Sequence, residues 1–495
     1  MNRLIETGDI TQQSLERLSL STRSIVHASD HYSHLMVFPV RVFLALVFSL
    51  VCSTIVIAND SVLDPYNAYI ELYQQPSDPT QISIAIKDNI DVAGRVTSGG
   101  SVALKDNIAI RDAFLIKKLR DSGYHISGKT NLSEWANFRS NDSVSGWSSL
   151  GGQTLHPIGI DRNPCGSSSG SAVAVASGLV EVAIGTETNG SITCPASVTG
   201  VVGMKPTLGL VSRSGIIPIS SSQDTAGPIG KDVETVARVL SVISGLDESD
   251  PSTKLIPDSM NLDFTDLDFR ENLSDYRIGL LTSGLDDPDG ARRLADLKVA
   301  IDTLNGNWVE PIDERVYPGE AEYFVLLYEF KVGLERYLAS SKTKEKKLSE
   351  LIDFNNRNKQ VVMPHFGQDI FLATEKAAEN PAKYQDSLIE LKDTKKQTLA
   401  IFSDNQVDVL VGLTRGPAWE IDYAGGDSKA IKRAKRFGNG GYAAISGLPH
   451  ITIPAYQIDG YPVGVSVIGR PWEDLLVLQV AAVLETFFRA RFPKS

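Results

Sequence analysis

The chain has 495 residues, 42% of them hydrophobic and 22% charged, with a net charge of −12. That length buries a large core, so the body of the chain is folded rather than disordered. An acidic surface repels phosphate backbones, so no nucleic acid is expected as a partner. The three cysteines, Cys52, Cys165 and Cys194, form no CxxC pair, and the seven histidines form no HExxH. Neither a structural zinc site nor any other metal is expected. Cys165 and Cys194 read as two buried thiols, or as a disulfide if the protein is exported.

Residues 1–35 read as an N-terminal extension or as a first helix of the body. Residues 4–26 have an amphipathic pattern, with Thr11 as N-cap. Residues 36–58 read as a signal peptide or a membrane anchor. Within them Val42 to Ala58 is an uncharged run of 17 residues, preceded by Arg41 and ending on a small residue. This is at the lower end of what spans a bilayer. A start at Met36 would give a short basic leader before an apolar stretch. The expectation is an exported protein, periplasmic or secreted, with membrane association through 42–58 if the segment is kept. A cytoplasmic protein follows if 42–58 is instead a core helix.

From residue 59 onward strands and helices alternate. Ile82–Ile86 reads as a buried strand. Asp112–Ser122 reads as a helix with Asp112 as N-cap and Gly123 as its stop. Ala172–Ser177 is a helix of small residues. Val182–Ile184, Tyr276–Leu281, Val407–Leu413, Ile451–Ile453 and Val463–Ile468 read as strands, and Pro471 opens a last helix to about Phe488. The pattern predicts an α/β fold with a mixed or mostly parallel central sheet, in one large domain over 59–495. Residues 285–405 are richer in charge and in helix, notably Glu320–Tyr337 and Tyr384–Phe402, and read as a helical insertion or lid.

The stretch from Asn163 to Pro195, NPCGSSSGSAVAVASGLVEVAIGTETNGSITCP, holds two Gly/Ser-rich turns around that small-residue helix. Glycine-rich turns admit backbone conformations that side chains forbid and present bare N–H groups. Two such turns, each carrying serine, suggest serine chemistry with a backbone oxyanion hole. Serine needs a base. Gly166-Ser167-Ser168-Ser169-Gly170 matches GxSxG, which would pair Ser168 with His365 or His450, but the preceding IGIDRNPC is a poor strand for that motif. The alternative is Lys87, at the end of the apolar run Ile82–Ile86. A lysine with its ordinary pKa near 10.4 is neutral at pH 7 only at a cost of about 4.6 kcal/mol, much of which burial supplies. An ion pair with Asp88 is the competing reading of this lysine.

The combination Ala85-Ile86-Lys87-Asp88-Asn89-Ile90, Gly166-Ser167-Ser168-Ser169-Gly170-Ser171 and Gly185-Thr186-Glu187-Thr188-Asn189-Gly190-Ser191-Ile192 resembles the amidase-signature family. Val202-Gly203-Met204-Lys205-Pro206-Thr207 and Asp224-Thr225-Ala226-Gly227-Pro228 extend the likeness, which covers roughly residues 65–490. The two candidate serines stand 24 residues apart, as in that family. Within it the chain looks similar to bacterial peptide amidases through residues 129–139, Pro164-Cys165-Gly166-Ser167, Leu327-Tyr328-Glu329-Phe330-Lys331 and Thr193, where most of the family has arginine.

The resemblance implies a single α/β domain whose central mixed sheet has helices on both faces. It implies Ser191 as nucleophile, Ser167 as a bridge held by a cis peptide, Lys87 as base, and the N–H groups of Thr188, Asn189, Gly190 and Ser191 as oxyanion hole. No cofactor is implied. The expected reaction is hydrolysis of a carboxamide to acid and ammonia, on a small-molecule or peptide amide and in particular on C-terminal peptide amides. Rival readings are a hydrolase of fatty-acid or other small amides, and one subunit of an amidotransferase that works with glutamine. Asn189 stands where the family has glycine or, in peptide amidases, an acid; asparagine would tolerate a positive φ there.

Overall fold

The computed structural model describes residues 64–267, 271–312, 317–435 and 437–491. The amphipathic segment 4–26, the apolar run 42–58 and Cys52 lie outside the described residues. Among the described residues no helix is long and apolar enough to cross a membrane.

Thirteen strands are formed there: β1 (Tyr69–Leu72), β2 (Ser83–Lys87), β3 (His125–Thr130), β4 (Trp147–Ser148), β5 (Gly152–Gln153), β6 (Val182–Glu187), β7 (Val202–Lys205), β8 (Thr225–Gly230), β9 (Arg277–Leu281), β10 (Asn307–Ile312), β11 (Val409–Leu413), β12 (His450–Ile458) and β13 (Tyr461–Ile468). Eleven of them make one sheet in the order β1-β3-β2-β6-β8-β7-β12-β13-β11-β9-β10, while β4 and β5 pair separately. Pairing is parallel for β3-β2, β2-β6, β11-β9 and β9-β10 and antiparallel elsewhere, so the sheet is mixed.

The period-2 alternation of each strand decides what covers each face. On β2 and β6, Ile84, Ile86, Val182 and Ile184 enter the largest apolar cluster, packed under the helices Phe114–Asp121, Val233–Ile243, Pro288–Thr303 and Asp474–Arg491. Ala85 and Ala183, one residue out of phase, face the small-residue helix Ser169–Ala176 instead. Alanine on that side lets the helix lie close to the sheet. Gly170 completes the approach, because a Cβ there would stand 2.2 Å from the Ala68 carbonyl oxygen and 2.4 Å from that of Asn131. Lys87 shares the phase of Ala85, so the same alternation turns it toward the start of this helix.

Several expected elements differ at their ends. The helix expected over Asp112–Ser122 runs Phe114–Asp121, with Ala113 at its N-cap. Asp112 accepts from the Ala93 N–H at 2.7 Å and pairs with Arg120 at 3.1 Å, ties that draw it out of the capping position. The small-residue helix begins at Ser169, and the last helix runs Asp474–Arg491. Strands β1, β3, β7, β8 and β10 carried too little apolar alternation to be read from the sequence; β8 is TAGPIG and β3 is HISGKT. Within 285–405, residues 307–312 join the sheet as an edge strand beside β9. The helices Glu320–Ser340, Leu348–Arg357 and Asp369–Ala377 close a separate apolar cluster over Trp135 and Phe138.

Asp88 does not pair with Lys87. It pairs with Lys129 of β3 at 2.7 Å, both side chains being almost fully buried, and it accepts from the Ser98 N–H at 3.1 Å and from the Ser98 hydroxyl. Removing one member of a buried pair leaves an uncompensated charge. Lys129→Met, which keeps the stem and loses the ammonium, is expected to lower the unfolding free energy by about 3–5 kcal/mol, read from the urea midpoint.

Candidate active site

Three segments converge on the end of β2: the turn before Ser169–Ala176, the end of β6, and the loop 187–193. Lys87 and Ser167 are fully buried and Ser191 is 9% exposed. The Lys87 Nζ lies 2.7 Å from Ser167 Oγ, 3.0 Å from Ser168 Oγ, 2.8 Å from Thr186 Oγ1 and 3.2 Å from the Thr186 carbonyl oxygen. Asn89 Nδ2 donates to the same Thr186 hydroxyl at 3.0 Å. All the atoms within reach of the Nζ are neutral oxygens. Burial therefore dominates and pushes the Lys87 pKa down to about 7, against the more distant carboxylates of Glu187 and Asp224, which raise it. The Gly166–Ser167 peptide is cis, as the resemblance implies.

Ser191 is tied to this group through its backbone, its carbonyl accepting from the Ser168 N–H at 3.1 Å. Beyond it, the Ile192 and Thr193 N–H groups donate to Glu187 Oε2 at 2.8 and 3.0 Å. These bonds turn the chain sharply between β6 and the helix Thr193–Thr199. The left-handed step in this turn falls on Gly190, at φ +83°, and not on Asn189. The expected tolerance of asparagine for positive φ is thus not drawn upon; Asn189 instead uses its side chain, donating to Glu322 Oε1 at 2.8 Å. Thr188 Oγ1 donates to Asp224 Oδ1 at 2.6 Å, and Asp224 Oδ2 accepts from the Ile219 and Ser220 N–H groups at 2.7 and 2.8 Å. Burial raises the Asp224 pKa, and these bonds oppose the rise.

The histidine alternative is not supported by the geometry. His450 Nε2 is engaged with Ser466 Oγ at 2.7 Å, and burial pushes its pKa down to about 3. His365 packs against Trp147 and Tyr423. Ser168 Oγ is spent on the Thr186 carbonyl at 3.0 Å and on Lys87. Thr186, Asn89, Glu187, Asp224 and Glu322 were not singled out from the sequence. The first four lie inside the quoted motifs, so the signal was present; Glu322 comes from the helical segment 131 residues beyond Ser191 and left none.

Cys165 and Cys194 form a disulfide, with Cα atoms 6.0 Å apart. This corrects the reading of two separate thiols. Cys165 stands two residues before Ser167 and Cys194 three after Ser191, so convergence of the two turns brings the sulfurs together. The disulfide borders a cavity of about 700 Å³, within the range of ligand pockets. Gly166, Asn189, Gly190, Glu322, Trp419 and Asp427 are among its walls.

The chain belongs to the amidase family: the family model "Amidase" matches residues 66–478. Its fold is that of amidase-signature structures, and it is an amide hydrolase. Among solved structures, the native peptide amidase of Stenotrophomonas maltophilia superposes with a TM-score of 0.79 at 40% identity, covering 87% of this chain and 91% of that one. A probable amidase of Arabidopsis thaliana is 33% identical over 83% of this chain and 77% of its own length. A glutamyl-tRNA(Gln) amidotransferase subunit of Symbiobacterium thermophilum is 33% identical over 81% of each chain.

With its two cysteines 29 positions apart in the chain, the disulfide restricts the unfolded chain by about 3–4 kcal/mol in the loop-entropy model. Alkylation of denatured protein is expected to count two more thiols after reduction than before. Equal counts would mean that the bond does not form.

Proposed function

We propose that this amidase hydrolyses the C-terminal amide of peptides, with Ser191 as nucleophile, Ser167 as proton bridge and Lys87 as base. The observation that carries the proposal is the 2.7 Å contact between Lys87 Nζ and Ser167 Oγ inside a buried pocket where the lysine pKa falls to about 7. A neutral amine at that distance can accept the Ser167 proton while Ser167 takes one from Ser191. The Ser191 oxygen bonds to the amide carbon, and the oxygen that becomes negative is held by the N–H groups of Thr188, Asn189, Gly190 and Ser191. The returning proton goes to the amide nitrogen, the C–N bond breaks and ammonia leaves. Water then attacks the Ser191 ester and releases the acid, the proton passing over the same bridge.

The walls of the cavity favour a peptide over an alkyl chain. Asp427, Trp419 and Phe437 are among its walls, a mixture of charged and aromatic surface that suits amide groups and side chains. Similarity to a peptide amidase over nine-tenths of that enzyme supports the same substrate class. The amidotransferase reading draws on relatives of that name, and free glutamine as a substrate separates it from the main proposal. The disulfide supports an exported protein, because such bonds persist in oxidising compartments.

The test is ammonia release from a dipeptide amide, a long-chain fatty amide and free glutamine. Turnover of the peptide amide is expected, with none in Ser191→Ala and a loss of about 10²–10⁴-fold in Lys87→Ala; preference for either other substrate, or full activity in Lys87→Ala, would refute the reading. The pH profile gives a second check. Lys87 is protonated and unable to accept below its pKa, so kcat/KM is expected to rise through about pH 7 and to level off above it. A rate that peaks below pH 6 contradicts a lysine base.

A further inference from the structure

The loop that carries the oxyanion donors is held from outside by groups that the proposed chemistry does not use. Gln223 is buried, and its Nε2 donates to the Thr188 carbonyl oxygen at 3.3 Å and to Glu322 Oε1 at 3.0 Å. Glu322 Oε1 also accepts from Asn189 Nδ2 at 2.8 Å. One carboxylate oxygen therefore gathers two amide donors, one on the loop itself and one that grips the loop by a carbonyl. Glu322 sits in the first turn of the helix Glu320–Ser340. The body of that helix is fixed by Phe330, Leu334 and Leu338 in the separate apolar cluster that also holds Trp135 and Phe138.

The peptide group is planar and trans here, so the Thr188 carbonyl and the Asn189 N–H point in opposite directions from one plane. Fixing the carbonyl toward Gln223 fixes the N–H away from it. The Asn189 N–H is one of the four proposed oxyanion donors, and donors aimed in advance are worth most because nothing reorients during the reaction. Thr188 is pinned a second time by its hydroxyl on Asp224, which leaves rotation about the Thr188–Asn189 peptide as the freedom that Gln223 and Glu322 remove. Gly190, next in the chain, has a left-handed φ, and a Cβ built on it would meet nothing within 4 Å, so no side-chain packing restrains the loop at that point.

We propose that Glu322 is a positioning residue of the oxyanion hole: with Gln223 it sets the plane of the Thr188–Asn189 peptide and couples the hole to the helical segment 320–340. The inference rests on the reading of Ser191 as nucleophile given above. Glu322 contacts none of the proposed reacting groups and acts through Asn189 and Gln223.

The experiment uses Glu322→Ala and Glu322→Gln in the full chain, with a dipeptide amide as substrate. Two inhibitors are compared: the matching peptide aldehyde, whose adduct with Ser191 carries the oxyanion, and the matching peptide with a methyl group in place of the terminal carboxamide, which has no oxygen to place in the hole. Glu322→Ala is expected to lower kcat by about 10- to 100-fold, with KM within about twofold. Aldehyde inhibition should weaken by a similar factor while the methyl-terminated peptide binds as before. Glu322→Gln keeps a carbonyl oxygen that accepts both donors, and is expected to recover kcat to within about threefold. An unchanged kcat in Glu322→Ala overturns the proposal. So does a rise in KM alone, or an equal loss of binding for the aldehyde and the methyl-terminated peptide, since either would make Glu322 a substrate contact. Activity persisting in Ser191→Ala would instead remove the reading underneath, and is measured separately from the Glu322 variants.

Discussion

The site depends on one constraint: a lysine carried out of water at the end of a central strand, with only neutral oxygens within reach. The ammonium form is penalised by burial, and the nearest carboxylates are committed to other partners. Asp88, adjacent in sequence, is claimed by Lys129 and Ser98. Glu187 is claimed by the Ile192 and Thr193 N–H groups, and Asp224 by Thr188, Ile219 and Ser220. Had any of these paired directly with Lys87, the charged form would have been stabilised and its pKa would have stayed near the ordinary value. The surrounding hydrogen bonds thus keep charges apart as well as holding loops in place.

The sheet supplies the rest through its phase. Alternation along β2 sends Ile84 and Ile86 into the large core and Ala85 to the opposite face, where the helix Ser169–Ala176 can lie close because alanine faces it and Gly170 on the helix has no side chain. Lys87 follows in that phase and meets the turn that begins this helix. The disulfide Cys165–Cys194 then joins the flank of this turn to the helix after Ser191. Close packing, strand phase and a covalent link therefore bring three separate stretches of chain together, with Lys87 Nζ at hydrogen-bond distance from Ser167 Oγ and the Ser191 carbonyl on the Ser168 N–H.

The helical segment beyond residue 317 adds a layer of a different kind. Its own apolar cluster is distinct from the sheet core, and it meets the site through polar contacts, Glu322 on Asn189 and Glu329 on Ser220 and Ser222. These side chains reach the loops on either side of the candidate nucleophile. The same segment borders the 700 Å³ cavity through Tyr317 and Glu322. A wall of the cavity and a contact with the loop 187–193 are in this way carried by one stretch of chain.

Sequence alone determined the α/β class, the strands with strong apolar runs, the motifs that carry Lys87, Ser167 and Ser191, and membership of the amidase family. These are local properties, written in periodicity, in glycine placement and in contiguous motifs. Strands such as TAGPIG and HISGKT escaped because their place is set by neighbours on both sides of the sheet and not by their own alternation. The partner of Asp88, the joining of Cys165 to Cys194, the positive φ at Gly190, and the reach of Glu322 to Asn189 were decided only by the tertiary structure. Each is a choice among several chemically equivalent partners far apart in the chain, and only the packing of the folded domain decides which of them come within bonding distance.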